Sequence, residues 1–261
     1  MDIEVLGPLN VRLAESSIVP SAGKPRQLLA LLALRSGHLV PIPTLMEELW
    51  GEHIPRSAQT TLQTYVLQLR RLIKKALPAN SPLTPKEVLI TRFGSYQLNS
   101  DPGRCDADLF HKKAMAGNRA LERGAVAEAS ALLGGALDMW RGPALADVPA
   151  GRILEIEMLA MDEARTRAQQ LRFEADLRLG RHGEILGELL ILAARNPLSE
   201  NICALLMTAL QRSGHTWRAL ETFQQLRGTL VRELGVEPSP RIQQLHQEIL
   251  GAGRHAQRSA A

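Results

Sequence analysis

Four basic side chains stand close together on one stretch of the chain, with no acidic residue near them. The stretch is "TTLQTYVLQLRRLIKK", residues 60–75, and its basic residues are Arg70, Arg71, Lys74 and Lys75. No Asp or Glu occurs between residue 53 and residue 85. Guanidinium and ammonium groups bind phosphate oxygens, so unpaired cations in this density indicate a surface for a polyanion. The chemistry expected of this stretch is binding to a nucleic acid.

The excess of positive charge lies entirely in the N-terminal part of the chain. The formal net charge of the whole chain is +4. Residues 1–104 contain 12 Lys and Arg against 8 Asp and Glu, whereas residues 105–261 contain 19 of each class. Such asymmetry between the two parts of a chain indicates that the basic part meets an acidic partner.

Length and composition are those of a protein with two ordinary domains. The chain has 261 residues, of which 45% are hydrophobic, and no apolar run reaches the roughly 18 residues that a membrane span requires. The N-terminus lacks the basic and apolar regions of a signal peptide, so we expect a cytoplasmic protein without membrane contact. Cys105 and Cys203 are too few for a disulfide framework and are expected to be reduced, partly buried thiols.

Motifs for catalysis and cofactor binding are absent from the sequence. It contains no G-x-x-x-x-G-K-[ST], G-x-S-x-G or H-E-x-x-H spacing. Its seven histidines also lack the spacing to cysteine that is typical of a metal site. We therefore expect no enzyme activity, no cofactor and no metal.

Short strands, three helices and a hairpin are predicted for residues 1–99. Alternating apolar and polar residues predict short strands over residues 3–13. Helix start and stop signals predict three helices, which run from Pro25 to Gly37, from Pro43 to Trp50, and from a capping Ser57 to Leu77. Two extended runs around residues 93–95 predict a β-hairpin.

The third helix has an apolar face and a polar face. The apolar residues recur with helical spacing on one side: Leu62, Val66, Leu69 and Ile73. This side is expected to pack on the other two helices. The opposite side combines small polar residues near the helix start, Leu67 in the middle, and Arg and Lys near the helix end. Small polar groups suit base edges in the DNA major groove, Leu67 suits a thymine methyl group, and the cations suit phosphates.

The hairpin that follows is expected to form a wing beside this helix. Its Arg92 is then in position to enter the adjacent minor groove or to bind a phosphate. The alternative interpretation of the basic helix is an ordinary solvated surface without a partner. The neighbouring wing favours the DNA interpretation.

Residues beyond 104 are predicted to be helical throughout. Glycine or proline residues separate seven helical runs, at 106–123, 125–140, 152–179, 182–195, 198–213, 216–234 and 239–250. The stretches from Gly180 and Gly214 resemble each other and start 34 residues apart, which is the period of tetratricopeptide repeats, and residues 124–130 are a weaker third copy. Stacked helix pairs of this kind bury one continuous core and leave a concave surface for a partner.

The predicted fold is therefore mainly α with a small β component. A winged helix-turn-helix domain at residues 1–99 precedes a linker at 100–104. An all-α, tetratricopeptide-like domain follows at residues 105–251. Residues 252–261 are expected to be a disordered tail.

Four separated stretches of the chain carry a resemblance to a known family. They are "ELWGEHIPRSAQTTLQTYVLQLRRLI" (48–73), "TRFGSYQL" (91–98), "DMWRGPALADV" (138–148) and "ELGVEPSPRIQQLHQEIL" (233–250). Together, and in this order, they resemble the Streptomyces antibiotic regulatory protein family over nearly the whole chain. The resemblance implies an OmpR-like winged helix joined to a bacterial transcriptional activation domain of tetratricopeptide type.

This resemblance also implies a function and a set of DNA contacts. Family members activate secondary-metabolite gene clusters, bind direct repeats of double-stranded DNA near the promoter and recruit RNA polymerase holoenzyme with its sigma factor. A second protomer is expected side by side with the first on DNA. The expected DNA contacts are Thr60, Thr61, Thr64, Tyr65, Gln68, Arg70, Arg71 and Lys74, with Arg92 of the wing; Lys75 joins them from its place on the basic face.

The loop "WGEHIPRS", residues 50–57, is expected to stay exposed when the third helix lies in a groove. Its Glu52 and His53 are candidate contacts to the polymerase, and the alternative is a plain connector. The wing departs from the family pattern, because Gly94-Ser95-Tyr96 stands where Pro-Gly-Tyr is common. The sequence therefore does not determine how the tip of the wing contacts a DNA groove. The ATPase and sensor regions of larger relatives do not follow, which predicts a short, constitutively competent form.

Two other classes of function remain open from the sequence. One is an adaptor whose tetratricopeptide-type helices bind another protein, with the basic helix incidental. The other is a regulator that senses a metabolite bound between helices of the repeat domain.

Overall fold

The computed structural model describes residues 1–100 and 103–259, with the backbone alone for residues 253–259. The described fold is mainly helical with two small sheets, as predicted. The first hundred residues form β1 (Asp2–Glu4), β2 (Asn10–Leu13), β3 (Ser16–Ser17), α1 (Gly23–Leu34), β4 (Val40–Pro41), α2 (Ile42–Trp50), α3 (Ala58–Ala76), α4 (Pro85–Val88), β5 (Leu89–Arg92) and β6 (Ser95–Leu98). The helices that follow are α5 (Asp106–Glu122), α6 (Val126–Leu137), α7 (Arg152–Arg178), α8 (His182–Arg195), α9 (Glu200–Arg212), α10 (Thr216–Leu234) and α11 (Pro240–Ser259).

The predicted helices and the predicted hairpin occur within a few residues of their expected bounds, except that the last helix extends nine residues beyond its expected end. The sequence did not predict β4 and α4, because two strand residues and a single helical turn carry no periodic signal. Ser57 occupies the N-cap position of α3, but its side chain makes no capping hydrogen bond. Part of the predicted linker, residues 101–102, lies outside the described residues.

The two sheets are antiparallel and each has three strands. One has the order β1-β2-β3, and the other has the order β4-β6-β5. In the second sheet, Leu89 pairs with Leu98 and Arg92 pairs with Ser95, which leaves Phe93 and Gly94 as a two-residue loop. Because β4 pairs with β6 and leads directly into α2, the hairpin is tied to the helical part of the domain.

The chain divides into two compact units. The first comprises residues 1–115 and 135–166, and the second comprises residues 116–134 and those from 167 onwards. The first unit thus contains segments beyond residue 104 that the sequence assigns to the helical domain. The separation at residues 100–104 stays a prediction about domain boundaries.

The core of the first unit is built around α1. Its residues Leu28, Leu29, Leu31 and Leu32 are all buried, because the apolar run "LLALLAL" covers the helix on all sides rather than along one stripe. Helices α2 and α3 both pack on α1. The apolar residues of β1, β2, β5 and β6 complete the same core.

A segment after α6 docks onto the N-terminal strands within this unit. The backbone N–H of Arg141 donates to the carbonyl of Leu6 at 2.8 Å, and that of Leu145 donates to Val5 at 3.0 Å. The buried carboxylate of Asp106 accepts the N–H groups of Val5 and Leu6. The motif at residues 138–148 therefore has a structural role in the first unit.

Glu48 of α2 is the most buried acidic side chain among the described residues of this unit, with 2% of its surface exposed. One carboxylate oxygen accepts the N–H of Gly151 at 2.6 Å and the amide of Gln27 at 2.7 Å. The other accepts the N–H groups of Ile153 and Leu154 at 2.9 and 3.0 Å. Glu48 thereby satisfies free donors of the first turn of α7 and complements its helix dipole.

Position 151 has no room for a side chain. A Cβ atom there would lie 2.1 Å from the carbonyl oxygen of Glu48 and 3.0 Å from its carboxyl carbon. Glycine therefore permits the close approach of backbone to backbone that the Glu48 hydrogen bonds require.

The second unit consists of packed helices, and glycine stands in several of the turns between them. Helix α9 packs against both α8 and α10, and α10 packs against α11. The repeated glycines Gly124, Gly180 and Gly214 all have a left-handed backbone, with φ of 78°, 77° and 81°. Only glycine adopts this conformation without steric cost, which explains its recurrence at the turns before α6, α8 and α10.

Helix α11 continues to Ser259, into the segment expected to be a disordered tail. Alanine, glutamine and arginine in "AGRHAQRS" are good helix formers, which accounts for the extension. Among the described residues, no helix combines the length and the apolarity needed to cross a bilayer.

Both cysteines are free and buried, and burial raises the pKa of the Cys105 thiol to about 11 and that of Cys203 to about 12.

The role of Glu48 can be tested by comparison with its neighbour Glu47. Glu48→Ala leaves buried N–H donors without acceptors, so we expect the free energy of unfolding to fall by roughly 3 kcal/mol. Glu47 forms only a solvent-exposed ion pair with Arg152, and Glu47→Ala is expected to change it by less than about 0.5 kcal/mol. Urea unfolding measures both variants, and equal losses would contradict the assignment.

Candidate nucleic-acid interface

The orientation of α3 is set by its apolar face. Leu62, Val66, Leu69 and Ile73 are each at most 2% exposed and belong to the core of the first unit. The predicted inward face is therefore confirmed. Because these residues point into the protein, the opposite face of α3 must lie in solvent.

The outward face of α3 is polar at its start and cationic at its end. Its exposed side chains are Gln59, Thr60, Gln63, Thr64, Leu67, Arg71, Lys74 and Lys75. Among the residues that the structure describes, neither Arg71, Lys74, Lys75 nor Arg92 forms an ion pair. The positive charge of this face therefore has no compensation from the described part of the chain.

The three threonines near the start of α3 differ in how their hydroxyl groups are used. Thr61 donates to the carbonyl of Ser57, and Thr64 donates to the carbonyl of Thr60, each at 3.0 Å. These two oxygens keep lone pairs for accepting a hydrogen bond from a ligand, whereas their protons are engaged. Thr60 is exposed and makes no side-chain hydrogen bond to the described residues.

Two further residues give the middle of the face its chemistry. Gln68 is half-buried, and its amide offers both a donor and an acceptor. Leu67 is 49% exposed and places an apolar surface between the threonines and the cations. A leucine left in solvent at the centre of a polar face gains from contact with an apolar group of a ligand.

Tyr65 faces the protein rather than the open side of the helix. Its ring stacks on that of Trp50, with centroids 6.4 Å apart and planes 17° from parallel. The Nζ atom of Lys24 lies over the Trp50 ring, 5.6 Å from its centroid, and also donates to the carbonyl of Leu49. This cluster fixes the end of α2 beside α3.

Arg70 connects α3 to the wing. Its Nε and Nη2 atoms donate to the carbonyl of Leu89 at 3.2 and 2.7 Å, and Nη2 also donates to the hydroxyl of Thr91 at 2.8 Å. The sequence grouped Arg70 with the residues that contact DNA. The structure shows that Nε and Nη2 of Arg70 hold β5 against α3, and its contact to DNA, for which Nη1 is left, stays a prediction.

The wing presents an exposed tip. Phe93 and Gly94 both have a positive φ, 49° and 66°, which is the geometry of a tight type I′ hairpin turn. The guanidinium of Arg92 lies 4.8 Å from the centroid of the Phe93 ring. Arg92 is exposed, as the prediction for it requires, whereas the sequence did not single out Phe93.

The candidate polymerase contacts lie in the exposed loop between α2 and α3. Gly51 ends α2 with a positive φ of 59°, and the chain then turns away from the helix. The side chains of Glu52 and His53 are both exposed. Their position is compatible with a contact to another protein, and the contact itself stays a prediction.

The second unit contains a groove of about 390 Å³ between α8, α9 and α10. Its apolar floor includes Cys203 and Leu206, and its polar rim includes Arg218, Glu221 and Thr222. The groove lies where a metabolite or peptide would bind in the two alternative interpretations. No group of side chains suited to holding a metal ion occurs in the described part of the chain.

Comparisons with known families match both parts of the chain. Residues 18–93 match the family described as "Transcriptional regulatory protein, C terminal", and residues 105–250 match "Bacterial transcriptional activator domain". The chain is 51% identical to the regulatory protein DnrI of Streptomyces peucetius, over 97% of this chain and 93% of that protein. It is 33% identical to the transcriptional regulator RedD of Streptomyces coelicolor, over 96% of this chain and 70% of that protein.

A solved structure with a similar fold is that of Mycobacterium tuberculosis EmbR, in complex with a low affinity phosphopeptide. The TM-score is 0.86 at 30% sequence identity, over 96% of this chain and 65% of the EmbR chain. The chain likewise spans only a quarter of the regulatory protein AfsR of Streptomyces griseus, to which it is 34% identical. The predicted fold class, a winged helix followed by a helical activator domain, is confirmed by these matches.

The adjacent residues Arg70 and Arg71 form a matched pair for testing the assignment of the wing contact. Arg70→Ala removes hydrogen bonds from a charged donor, so we expect the free energy of unfolding to fall by roughly 2 kcal/mol. Arg71→Ala removes no contact inside the protein and is expected to change it by less than about 0.5 kcal/mol. Urea unfolding distinguishes the two, and a larger effect of Arg71→Ala would contradict the assignment.

Proposed function

The chain belongs to the Streptomyces antibiotic regulatory protein family of DNA-binding transcriptional activators, and from this premise we propose that it activates a cluster of genes for antibiotic biosynthesis. It binds direct repeats near the promoter and recruits RNA polymerase holoenzyme, including its sigma factor. It acts in the cytoplasm, where bacterial chromosomal DNA lies. Its mechanism is binding without chemistry.

The observation that supports this proposal most strongly is the uncompensated charge on the outward face of α3. Phosphates complete the charge balance of Arg71, Lys74 and Lys75 when the helix lies in the major groove. The helix start, with its threonines, then reaches the base edges, as in other helix-turn-helix proteins.

The residues in the middle of the outward face of α3 recognise the DNA sequence. The amide of Gln68 pairs with an adenine edge, and Leu67 contacts a thymine methyl group. Thr60, Thr61 and Thr64 accept or donate single hydrogen bonds nearby. Arg92 holds the wing on the neighbouring backbone or in the minor groove.

Two protomers occupy the two repeats. Direct repeats place the protomers in the same orientation, so their contact is head-to-tail and joins two different surfaces. Such a contact adds to the affinity of each protomer once both lie on one DNA molecule. We expect a monomer in solution that pairs on DNA.

Recruitment of the polymerase uses the loop between α2 and α3. With α3 in the groove, this loop stays outside the DNA contact and is free to meet another protein. Glu52 supplies a carboxylate, and His53 an imidazole, for polar contacts to the holoenzyme. The proposal separates DNA binding and activation onto neighbouring residues of the same domain.

The DNA contact predicts a steep dependence on salt. Neutralising about five phosphates gives a slope of log affinity against log salt of roughly −4 to −5. The double variant Lys74→Ala, Lys75→Ala is expected to reduce the magnitude of this slope by about 2, since it removes two phosphate contacts. Fluorescence anisotropy on promoter fragments chosen by footprinting, repeated over a range of salt concentrations, measures this slope for both proteins.

The adjacent lysines Lys112 and Lys113 of α5 provide the control, because they form a similar pair outside the proposed interface. Their replacement by alanine should leave the slope within error of the original chain. A slope near zero for the original chain would refute DNA binding by this face.

The polymerase contact predicts that activation and DNA affinity can be separated. The double variant Glu52→Ala, His53→Ala should lower transcription from the target promoter several-fold in a purified system while its DNA affinity stays unchanged. Arg71→Ala serves as the comparison and should lower both together. Equal loss of affinity and transcription in the loop variant would refute the assignment of the loop.

A further inference from the structure

The tip of the wing carries an aromatic residue in a conformation that suits it poorly. The two residues of a type I′ turn both need a positive φ, which favours asparagine, aspartate and glycine. Glycine adopts this conformation freely at position 94, whereas Phe93 adopts it, with a φ of 49°, at a steric cost. A residue kept in an unfavourable backbone conformation at an exposed tip points to a function for its side chain.

The fold does not use the ring of Phe93 for packing. The side chain is 81% exposed, more than any other large hydrophobic residue among those described. The neighbouring strand residues Ser95 and Tyr96 are buried and anchor the hairpin without it. The Arg92 guanidinium lies over one face of the ring. The other face is therefore available to stack on a ligand.

The charge around the tip favours DNA over a protein surface as the partner of this ring. No Asp or Glu occurs between residue 88 and residue 100, and Arg92 has no ion pair among the described residues. Minor-groove binding proteins read the groove with Arg or Lys and insert apolar side chains such as Phe between base steps, and the wing tip carries both kinds of residue.

The tip is also held in a defined place relative to α3. The hydrogen bonds of Arg70 to Leu89 and Thr91 fix β5 against α3. The pairing of β5 with β6 extends from Leu89 to Arg92, so it also fixes the position of the turn that starts at Phe93. A ring presented in this way contacts DNA at a constant distance from the bases that α3 reads.

We propose that Phe93 is a wedge that enters the minor groove beside the site read by α3 and partly unstacks one base step there. This proposal rests on the proposed function. Arg92 lies next to the wedge and interacts with the negative potential of the groove. Because a pyrimidine–purine step unstacks most easily, the protein prefers such a step at a position that α3 does not touch.

The variant Phe93→Asn tests the wedge without damaging the turn. Asn-Gly is the preferred pair for this turn type, so the thermal stability of the variant should equal or exceed that of the original chain. Loss of aromatic stacking should weaken binding to the promoter fragment by about tenfold. Phe93→Trp keeps a ring at the tip and should bind within about threefold of the original chain.

The unstacking itself is read by 2-aminopurine placed in turn at each step flanking the repeat. The original chain and Phe93→Trp should raise its fluorescence at one step, and Phe93→Asn should not. The proposal is overturned if Phe93→Asn keeps both the affinity and the signal, or if it loses only transcription, which would indicate a protein partner. If the original chain binds no promoter fragment at all, the proposed function itself fails.

Discussion

The burial of four aliphatic side chains on α3 is the constraint on which the rest of the interface depends. Leu62, Val66, Leu69 and Ile73 can leave water only by packing on α1 and its neighbours, which fixes the rotation of α3 about its own axis. Every exposed residue of the helix follows from that rotation. The cations face outward because the opposite side has been used for the core, and this leaves their charge for a ligand to balance.

Apolar packing orients the helices, but polar contacts set the finer relations within the first unit. Arg70 holds the wing to α3, Glu48 holds α2 to the start of α7, and Asp106 holds the N-terminal strands to α5. Each of these charged groups is matched by backbone donors or acceptors at a definite distance. Such contacts are directional, so they select one arrangement of the helices and strands, whereas apolar surfaces alone would permit several.

The parts predictable from the sequence are those with a periodic signal. The apolar stripe of α3, the recurring glycines and the hairpin all appear as patterns of residue type, and each was found at its expected place. The Arg70 contact was not predictable, because an arginine that bonds to a strand carbonyl looks identical in sequence to one that awaits a phosphate. Glu48 and Phe93 were missed for a related reason: burial of a carboxylate and exposure of a ring are decided by distant segments of the chain.

The hydrogen bonds between Glu48 and the first turn of α7 limit how this protein can be divided into fragments. A fragment that ends at residue 99 retains the buried carboxylate but loses the N–H groups of Gly151, Ile153 and Leu154 that accompany it. It also leaves the N–H groups of Val5 and Leu6 without the Asp106 carboxylate. We therefore expect a DNA-binding fragment of residues 1–99 to be less stable than a protein that keeps Asp106 and the first turn of α7.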